Sequence, residues 1–98
     1  MVIVHAYIEI KKGKTKEFAV VLDKCVVNTR KEAGCLSYVP YTDLADDHKF
    51  IIVEEWESQA ALDAHMLTPH FVQLVEDLGD LVAAPLAVKV FDATLKQE

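Results

Sequence analysis

Alternating apolar positions predict β-strands in four parts of the chain. Along residues 2–10, one face of the strand is uniformly apolar and carries Val2, Val4, Ala6, Ile8 and Ile10. Residues 35–43, 49–56 and 85–93 are also rich in β-branched and aromatic residues, which indicates three further strands. Pro40 has no N–H to donate to a neighbouring strand, so we expect the strand 35–43 to lie at an edge of the sheet.

A long amphipathic helix is predicted between the first two strands. Thr15 is the expected N-cap, and the helix is expected to end near Ala33. Three- and four-residue spacing places one stripe toward the core, formed by Phe18, Val21, Leu22, Cys25 and Thr29. Gly34 suits the left-handed conformation that commonly follows a helix end.

Two shorter helices are predicted between the third and fourth strands. Ser58 is the expected cap of the first, a helix of about ten residues. Thr68 followed by Pro69 predicts the start of the second, because proline suits the first helical turn, and this helix should run to about Leu81. Its apolar side carries Phe71, Leu74, Val75 and Leu78.

The order of these elements predicts a ferredoxin-like α+β fold in a single domain spanning residues 1–98. The split βαβ arrangement gives a four-stranded antiparallel sheet with the helices on one face. The opposite face would still be largely apolar, with members drawn from Ile3, Tyr7, Val39, Tyr41, Ile51, Val53, Ala87 and Phe91. Such a face normally needs covering, so we expect a homodimer packed sheet to sheet.

Charge and composition narrow the classes of partner. The formal net charge is −6, and an acidic surface repels phosphate backbones and anionic lipids, so neither nucleic acid nor membrane is an expected partner. No apolar run reaches the roughly 18 residues of a membrane span, and the first residues lack the basic region of a secretory signal. Cys25 and Cys35 are expected to be reduced thiols, which indicates a cytoplasmic protein.

Candidate chemistry is concentrated in residues 54–71. His65 lies three residues after Leu62 and therefore shares the inward face of its helix. A histidine there is either a hydrogen-bonded packing residue or a catalyst, and the pattern leaves both roles open. Trp56 ends a strand and is either a core aromatic or the wall of a site. His5, in the middle of the first strand, could line a pocket or an interface.

Several common types of site are not predicted. His65 and His70 lie five residues apart with a helix break between them, so together with Glu54 they do not match a helical zinc pair, and no metal is expected. The three glycines are isolated at turns, which argues against a nucleotide cofactor. The chain has no G-x-S-x-G motif for a nucleophilic serine.

The stretch 54–71 resembles the signature of the antibiotic biosynthesis monooxygenase superfamily of dimeric α+β barrels. The matching positions are Glu54-x-Trp56, Ser58, Ala61-Leu62, Ala64-His65 and Thr68-Pro69-His70-Phe71. Upstream, "VIVHAYIEIKKGKTKEF" resembles the family's first strand and the turn into its long helix, and "KEAGCLSYVPY" resembles its E-x-G-C-x-x-Y entry into the second strand. The resemblance covers nearly the whole chain, but it identifies a superfamily rather than a reaction.

The resemblance implies a homodimer with a pocket between sheet and helices in each subunit. It also implies oxygenation of a small phenolic or quinol-type aromatic by O₂ without a cofactor. A histidine with a pKa of about 6.5 is a suitable base at neutral pH, which makes His65 the candidate catalytic residue. The expected substrate-binding residues are Trp56, Tyr38, Phe71, His70, Glu54 and His5.

The superfamily includes two other types of enzyme, and a non-enzymatic role is a third alternative to the oxygenase. Haem-degrading members are disfavoured because Ala6 stands where they have asparagine and no histidine follows His70. Relatives that isomerise or process a phosphorylated, autoinducer-like metabolite share the Thr-Pro-His stretch, although Lys24, Arg30 and Lys89 are too scattered to form an obvious phosphate site. A non-enzymatic dimer that binds a small molecule stays open.

Overall fold

The computed structural model describes residues 1–97, so the last residue of the predicted polar tail, Glu98, lies outside the described residues. It contains four strands and three helices. In chain order they are β1 (Val2–Glu9), α1 (Thr15–Thr29), β2 (Cys35–Thr42), β3 (Lys49–Trp56), α2 (Gln59–His65), α3 (Pro69–Leu78) and β4 (Ala87–Asp92).

The strands form one antiparallel sheet in the order β2-β3-β1-β4. This is the ferredoxin-like α+β arrangement predicted from the order of the elements. Pro40 lies in β2, an edge strand, where its missing N–H costs no hydrogen bond within the sheet. The predicted position of this strand is therefore confirmed.

The helix ends differ from the prediction in ways that shorten each helix. Thr15 is the first residue of α1 rather than its cap; Lys14 holds the N-cap position and makes no side-chain capping bond. The helix ends at Thr29, and residues 30–34 form turns. Gly34 has a φ of +83°, which confirms the left-handed conformation expected there.

The two later helices begin where predicted. The Ser58 Oγ accepts a hydrogen bond from Ala61 N at 3.1 Å, and the Thr68 Oγ1 accepts one from Phe71 N at 3.3 Å. α2 ends at His65 after seven residues rather than ten, and α3 ends before the predicted Leu81. Both helices are therefore short, and the break between them leaves His65 at a helix end.

The helices pack on one face of the sheet. The inner face buries Val4, Ile8, Ile52 and Trp56 against α1, α2 and α3. The outer face carries the residues predicted for it, among them the exposed Tyr7, Tyr41 and Phe91. None of the helices within residues 1–97 has both the length and the apolar character needed to cross a bilayer.

Candidate active site

An apolar cavity of about 230 Å³ lies between the inner face of the sheet and helices α2 and α3. Its walls are mostly aliphatic and include Val4, Ala6, Ile52, Leu62, Leu74 and Val90. Four polar or ionisable side chains also line it: Tyr38, Glu54, Gln59 and His65. No lysine or arginine is among its lining residues. The cavity is therefore suited to an apolar molecule with few polar groups.

His65 is buried among aromatic rings at the end of α2. Only 1% of the residue is exposed, yet it lines the cavity. Its ring lies 4.7 Å from that of Trp56, 5.1 Å from Phe71 and 5.7 Å from Tyr38, measured between centroids. These contacts hold the imidazole in place from three sides.

Glu32 connects the two histidines of this region. Its Oε2 atom lies 2.7 Å from His65 Nδ1 and 2.7 Å from His70 Nε2. A carboxylate only accepts hydrogen bonds, so both ring nitrogens act as donors. A neutral His65 is therefore protonated on Nδ1, which leaves Nε2 with a free electron pair.

The Nε2 atom of His65 is accessible to a molecule bound in the cavity. Among residues 1–97, the one side-chain polar atom that is both fully buried and without a hydrogen-bond partner is His48 Nδ1. His65 Nε2 also has no protein partner, but it is not among the fully buried atoms. It therefore keeps some accessible surface. Because the residue lines the cavity, this electron pair is available to a molecule bound there.

The surroundings of His65 favour its neutral form. Burial lowers the pKa of His65, while the hydrogen bond and the charge of Glu32 raise it; His70 lowers it slightly further. Burial is the largest of these effects, and the net change is downward. At neutral pH the imidazole is thus ready to accept a proton.

Glu54 places an unusual carboxyl group in the same cavity. The residue is 6% exposed, and its Oε1 accepts a hydrogen bond from Trp56 Nε1 at 3.0 Å. Burial raises the pKa of Glu54 to about 7; the nearby negative charge of Glu32 also raises it, and the Trp56 hydrogen bond lowers it. This carboxyl group can therefore be protonated near neutral pH.

Tyr38 and Cys25 form a buried polar contact beside the cavity. The Tyr38 Oη lies 3.8 Å from Cys25 Sγ, which is 3.5 Å from Thr29 Oγ1. Burial raises the pKa of both the Tyr38 phenol and the Cys25 thiol, so both stay protonated at neutral pH. Both cysteines are free thiols, as the sequence predicted.

The structure does not bring all the predicted site residues to the cavity. Tyr38, Glu54, His65 and Phe71 line it. Trp56 is fully buried behind His65, where it supports the imidazole and the Glu54 carboxyl instead of forming a wall.

His70 and His5 lie away from the cavity lining. His70 contacts Glu32, so it reaches the site only through that carboxylate. His5 points to the outer face of the sheet, where its ring packs against Phe91 at 5.2 Å between centroids. His5 therefore does not line the cavity, because side chains alternate along β1 and its neighbours Val4 and Ala6 are the ones that point inward.

Glu32 was not predicted as a site residue. It lies 33 and 38 positions from the histidines that it contacts, so no local spacing reveals the contact. The one available signal was its place in the E-x-G-C stretch, where the turn at residues 30–34 carries it toward α2.

Glu32, His65 and His70 are also the residues that could hold a metal ion. Their three ligand atoms lie within 4.8 Å of one another. The sequence had grouped the histidines with Glu54, but the Glu54 Oε1 is bonded to Trp56 instead. A metal would have to displace the protons of both ring nitrogens, and the two hydrogen bonds to Glu32 already account for the cluster.

The chain is similar in sequence to a monooxygenase family model and to proteins whose names refer to monooxygenases. The family model described as antibiotic biosynthesis monooxygenase matches residues 1–77. The Escherichia coli protein named "Probable quinol monooxygenase YgiN" is 36% identical over 93 residues, which cover 84% of this chain and 89% of that protein. An uncharacterized Synechocystis protein, sll1783, is 37% identical over 90 residues, which cover 92% of this chain but 61% of that longer protein.

The fold is similar to that of solved structures as well. A crystal structure described as an antibiotic biosynthesis monooxygenase superposes with a TM-score of 0.91 at 33% identity, covering 97% of this chain and 100% of that one. These relatives support a monooxygenase-type function. The matched family model, the relatives and the shared fold together show that this chain belongs to the antibiotic biosynthesis monooxygenase family.

Proposed function

We propose that this protein is a cofactor-independent monooxygenase acting on a small phenolic or quinol-type aromatic. The observation that carries the proposal is the buried His65 imidazole, which lines an apolar cavity and has Nδ1 held by Glu32. Deprotonating a phenol makes its ring electron-rich enough to reduce O₂ directly. The protein need only supply a base and a cavity that excludes water.

The Glu32 carboxylate suits His65 to the role of base. It orients the ring so that Nε2 is the accepting atom, and its negative charge stabilises the imidazolium that forms after proton transfer. A carboxylate that holds the distal ring nitrogen in this way is a recurring feature of histidine bases. Glu32 is therefore a positioning residue in the proposed reaction.

The cavity favours an uncharged substrate. Aliphatic and aromatic walls bind a planar ring, and no cationic side chain lines the cavity to balance a phosphate or carboxylate. This observation supports a neutral phenol or quinol over the phosphorylated metabolites considered from the sequence. The quinol in the name of YgiN agrees with this class of substrate.

We also propose that two chains pair through the outer face of the sheet. In a single chain this face leaves Tyr7, Tyr41 and Phe91 exposed beside the half-buried Val53 and Ile51. An apolar surface that extends over four strands is typical of an interface. The pairing would leave the cavities on the far side of each sheet.

Oxygen uptake tests the proposed reaction. The purified protein is offered hydroquinones, simple phenols and anthrones, and ¹⁸O₂ shows whether one oxygen atom enters the product. We expect His65→Ala to lower kcat by about 10² to 10⁴, the typical contribution of a general base. Val20→Ala, at an exposed position on α1, is the matched control and should keep full activity.

Two results would contradict the proposal. If His65→Ala oxidises a confirmed substrate as fast as the wild type, His65 is a packing residue. If the wild type binds members of the panel but consumes no oxygen, the protein is a binding module or an enzyme of another class. Turnover without oxygen consumption would indicate an isomerase.

A further inference from the structure

We propose that Glu54 is a second catalytic residue of the cavity, which donates a proton to the peroxide formed from O₂ and later removes the proton from the substrate carbon. This inference rests on the proposed oxygenase function and assigns the proton transfers that follow the first one. His65 accounts for the initial deprotonation and holds that proton until hydroxide departs. The later steps need a group that can both give and take a proton.

The position of Glu54 provides such a group. Glu54 and Trp56 lie two residues apart on β3, so both side chains point to the inner face of the sheet. The Trp56 Nε1–H donates to one carboxyl oxygen and holds the group in a fixed orientation. The other oxygen, Oε2, has no protein partner among residues 1–97 and is not among the fully buried atoms. Because Glu54 lines the cavity, we infer that this oxygen faces it.

The ionisable groups around Glu54 leave it free to exchange a proton. Trp56 donates from the same strand, Tyr38 on β2 and Cys25 on α1 are neutral, and Glu32 adds a negative charge from the turn after α1. His65, from α2, lines the same cavity. No cation among the cavity residues holds the carboxyl in its charged form.

Glu54 and His65 therefore form a complementary pair. Burial lowers the pKa of the imidazole and raises that of the carboxyl to about 7, so each favours its neutral form. One cavity thus contains a neutral base and a neutral acid at the same pH. Two titratable groups whose pKa values are displaced in this way are a recurrent basis for acid and base roles.

The proposed steps balance for a phenol with hydrogen on the carbon para to its hydroxyl. His65 Nε2 takes the hydroxyl proton; the phenolate passes one electron to O₂, and the radical pair combines to form a bond between the para carbon and oxygen. The protonated Glu54 then donates its proton to the terminal peroxide oxygen. The Glu54 carboxylate next takes the hydrogen of the para carbon as a proton, and the C–H electron pair becomes part of the quinone.

The O–O bond breaks in the same step. The departing hydroxide takes the proton from His65, so one phenol and one O₂ give one quinone and one water. Each side chain returns to its starting protonation state, and no external reductant is required. One oxygen atom enters the product and the other leaves as water.

Glu54→Gln tests this role with little change in shape. The amide oxygen of Gln can still accept the Trp56 hydrogen bond, but the side chain cannot exchange a proton. We expect the rate of quinone formation to fall by about 10² or more, as is typical for loss of a general acid or base. The deuterium isotope effect with para-deuterated substrate should also increase, since removal of the C–H proton becomes slower.

Glu57→Gln is the matched control. Glu57 is an exposed carboxylate just after β3 and lies outside the cavity lining, so its rate and isotope effect should equal those of the wild type. If Glu54→Gln keeps the wild-type rate and isotope effect while wild type and control oxidise the substrate, the role of Glu54 is wrong and the proposed function stands. If the wild type oxidises none of the panel, both fail.

A second variant and a second measurement keep the test decisive if Glu54→Gln misfolds. Glu54→Asp keeps an acid and should restore part of the rate, with a changed pH limb; an unchanged pH profile would overturn the assignment. The free energy of unfolding provides a readout without substrate. Because the folded pKa of Glu54 is raised, its contribution is present below pH 4.5 and lost as the pH rises through about 7. Glu54→Gln should remove this decline, and its persistence would contradict the proposal.

Discussion

At the scale of residues, the site depends on a single carboxylate shared by two histidines. Glu32 Oε2 accepts from His65 Nδ1 and from His70 Nε2, each at 2.7 Å. One of these hydrogen bonds determines which ring nitrogen of His65 is free, while the other ties the start of α3 to the turn after α1. The carboxylate is therefore both a proton-positioning group and a connection between elements.

Removing the charge of Glu32 should weaken the base without emptying the cavity. Hydrogen bonds to charged groups contribute roughly 1.5–3 kcal/mol, so we expect Glu32→Gln to lower kcat by about 10- to 100-fold. Losing the Glu32 carboxylate should also lower the pKa of His65, because both the hydrogen bond and the charge of Glu32 raise that pKa. The rising limb of the pH–rate profile, where His65 loses its proton, should then move to lower pH.

The pH–rate profile of Glu32→Gln, measured beside that of Glu57→Gln, checks this prediction. Substrate affinity should change little, because Glu32 is not among the lining residues of the cavity. A limb that stays at the wild-type pH would show that Glu32 does not act through His65.

At the scale of elements, the turn between α1 and β2 carries Glu32 to the histidines. Gly34 makes that turn possible in two ways. Its φ of +83° is a conformation that side chains other than glycine rarely adopt, and an added Cβ would lie 2.6 Å from Ala61 Cβ on α2. The turn and α2 are thus packed so closely that they position each other.

Gly34→Ala should destabilise the protein more than the same change at Gly13. Both glycines have a φ of +83°, but nothing lies within 4 Å of the Cβ position at Gly13. We expect a loss of about 1–2 kcal/mol at Gly13 from backbone strain alone. At Gly34 a further loss of about 1–3 kcal/mol is expected from the collision with α2.

Urea unfolding of the two variants separates strain from collision. Gly34→Ala should also lower oxygenase activity, since the displaced turn moves Glu32 away from His65, whereas Gly13→Ala should keep it. Equal losses of stability at the two positions would show that the packing against α2 does not matter.

At the scale of the whole molecule, the sheet has two faces with different roles. The inner face holds the cavity and the polar side chains around it. The outer face holds His5, Tyr7, Val53 and Phe91 in adjacent positions of β1, β3 and β4, with Lys89 opposite His5. The proposed pairing of two chains would therefore cover the outer face without obstructing the cavity.

A charge in the middle of the outer face should prevent the proposed dimer. Val53 lies on β3 between His5 and Val39, so Val53→Asp places a carboxylate at the centre of the pairing surface. We expect sedimentation to show a dimer for the wild type and a monomer for this variant. Val20→Asp, on the exposed side of α1, adds the same charge elsewhere and should stay dimeric. A monomeric wild type would contradict the proposed pairing.

The sequence by itself determined the order of the elements, the edge position of β2, the two faces of the sheet and the inward direction of His65. Each of these follows from local rules: side-chain periodicity, the missing N–H of Pro40, and the caps at Ser58 and Thr68. The same alternation placed His5 on the outer face, and the structure agrees with the pattern rather than with its expected role in binding.

Only the tertiary structure decided what His65 contacts. Its partner Glu32 is separated from it along the chain by the strands β2 and β3 and by helix α2. Its cavity is lined jointly by the sheet, α2 and α3, which are remote from one another in the sequence. The same holds for Glu54, whose raised pKa is produced by burial and by the charge of Glu32 rather than by its neighbours along the chain. Hydrogen bonds and desolvation depend on distance in space, and local sequence patterns do not determine which remote side chains will meet.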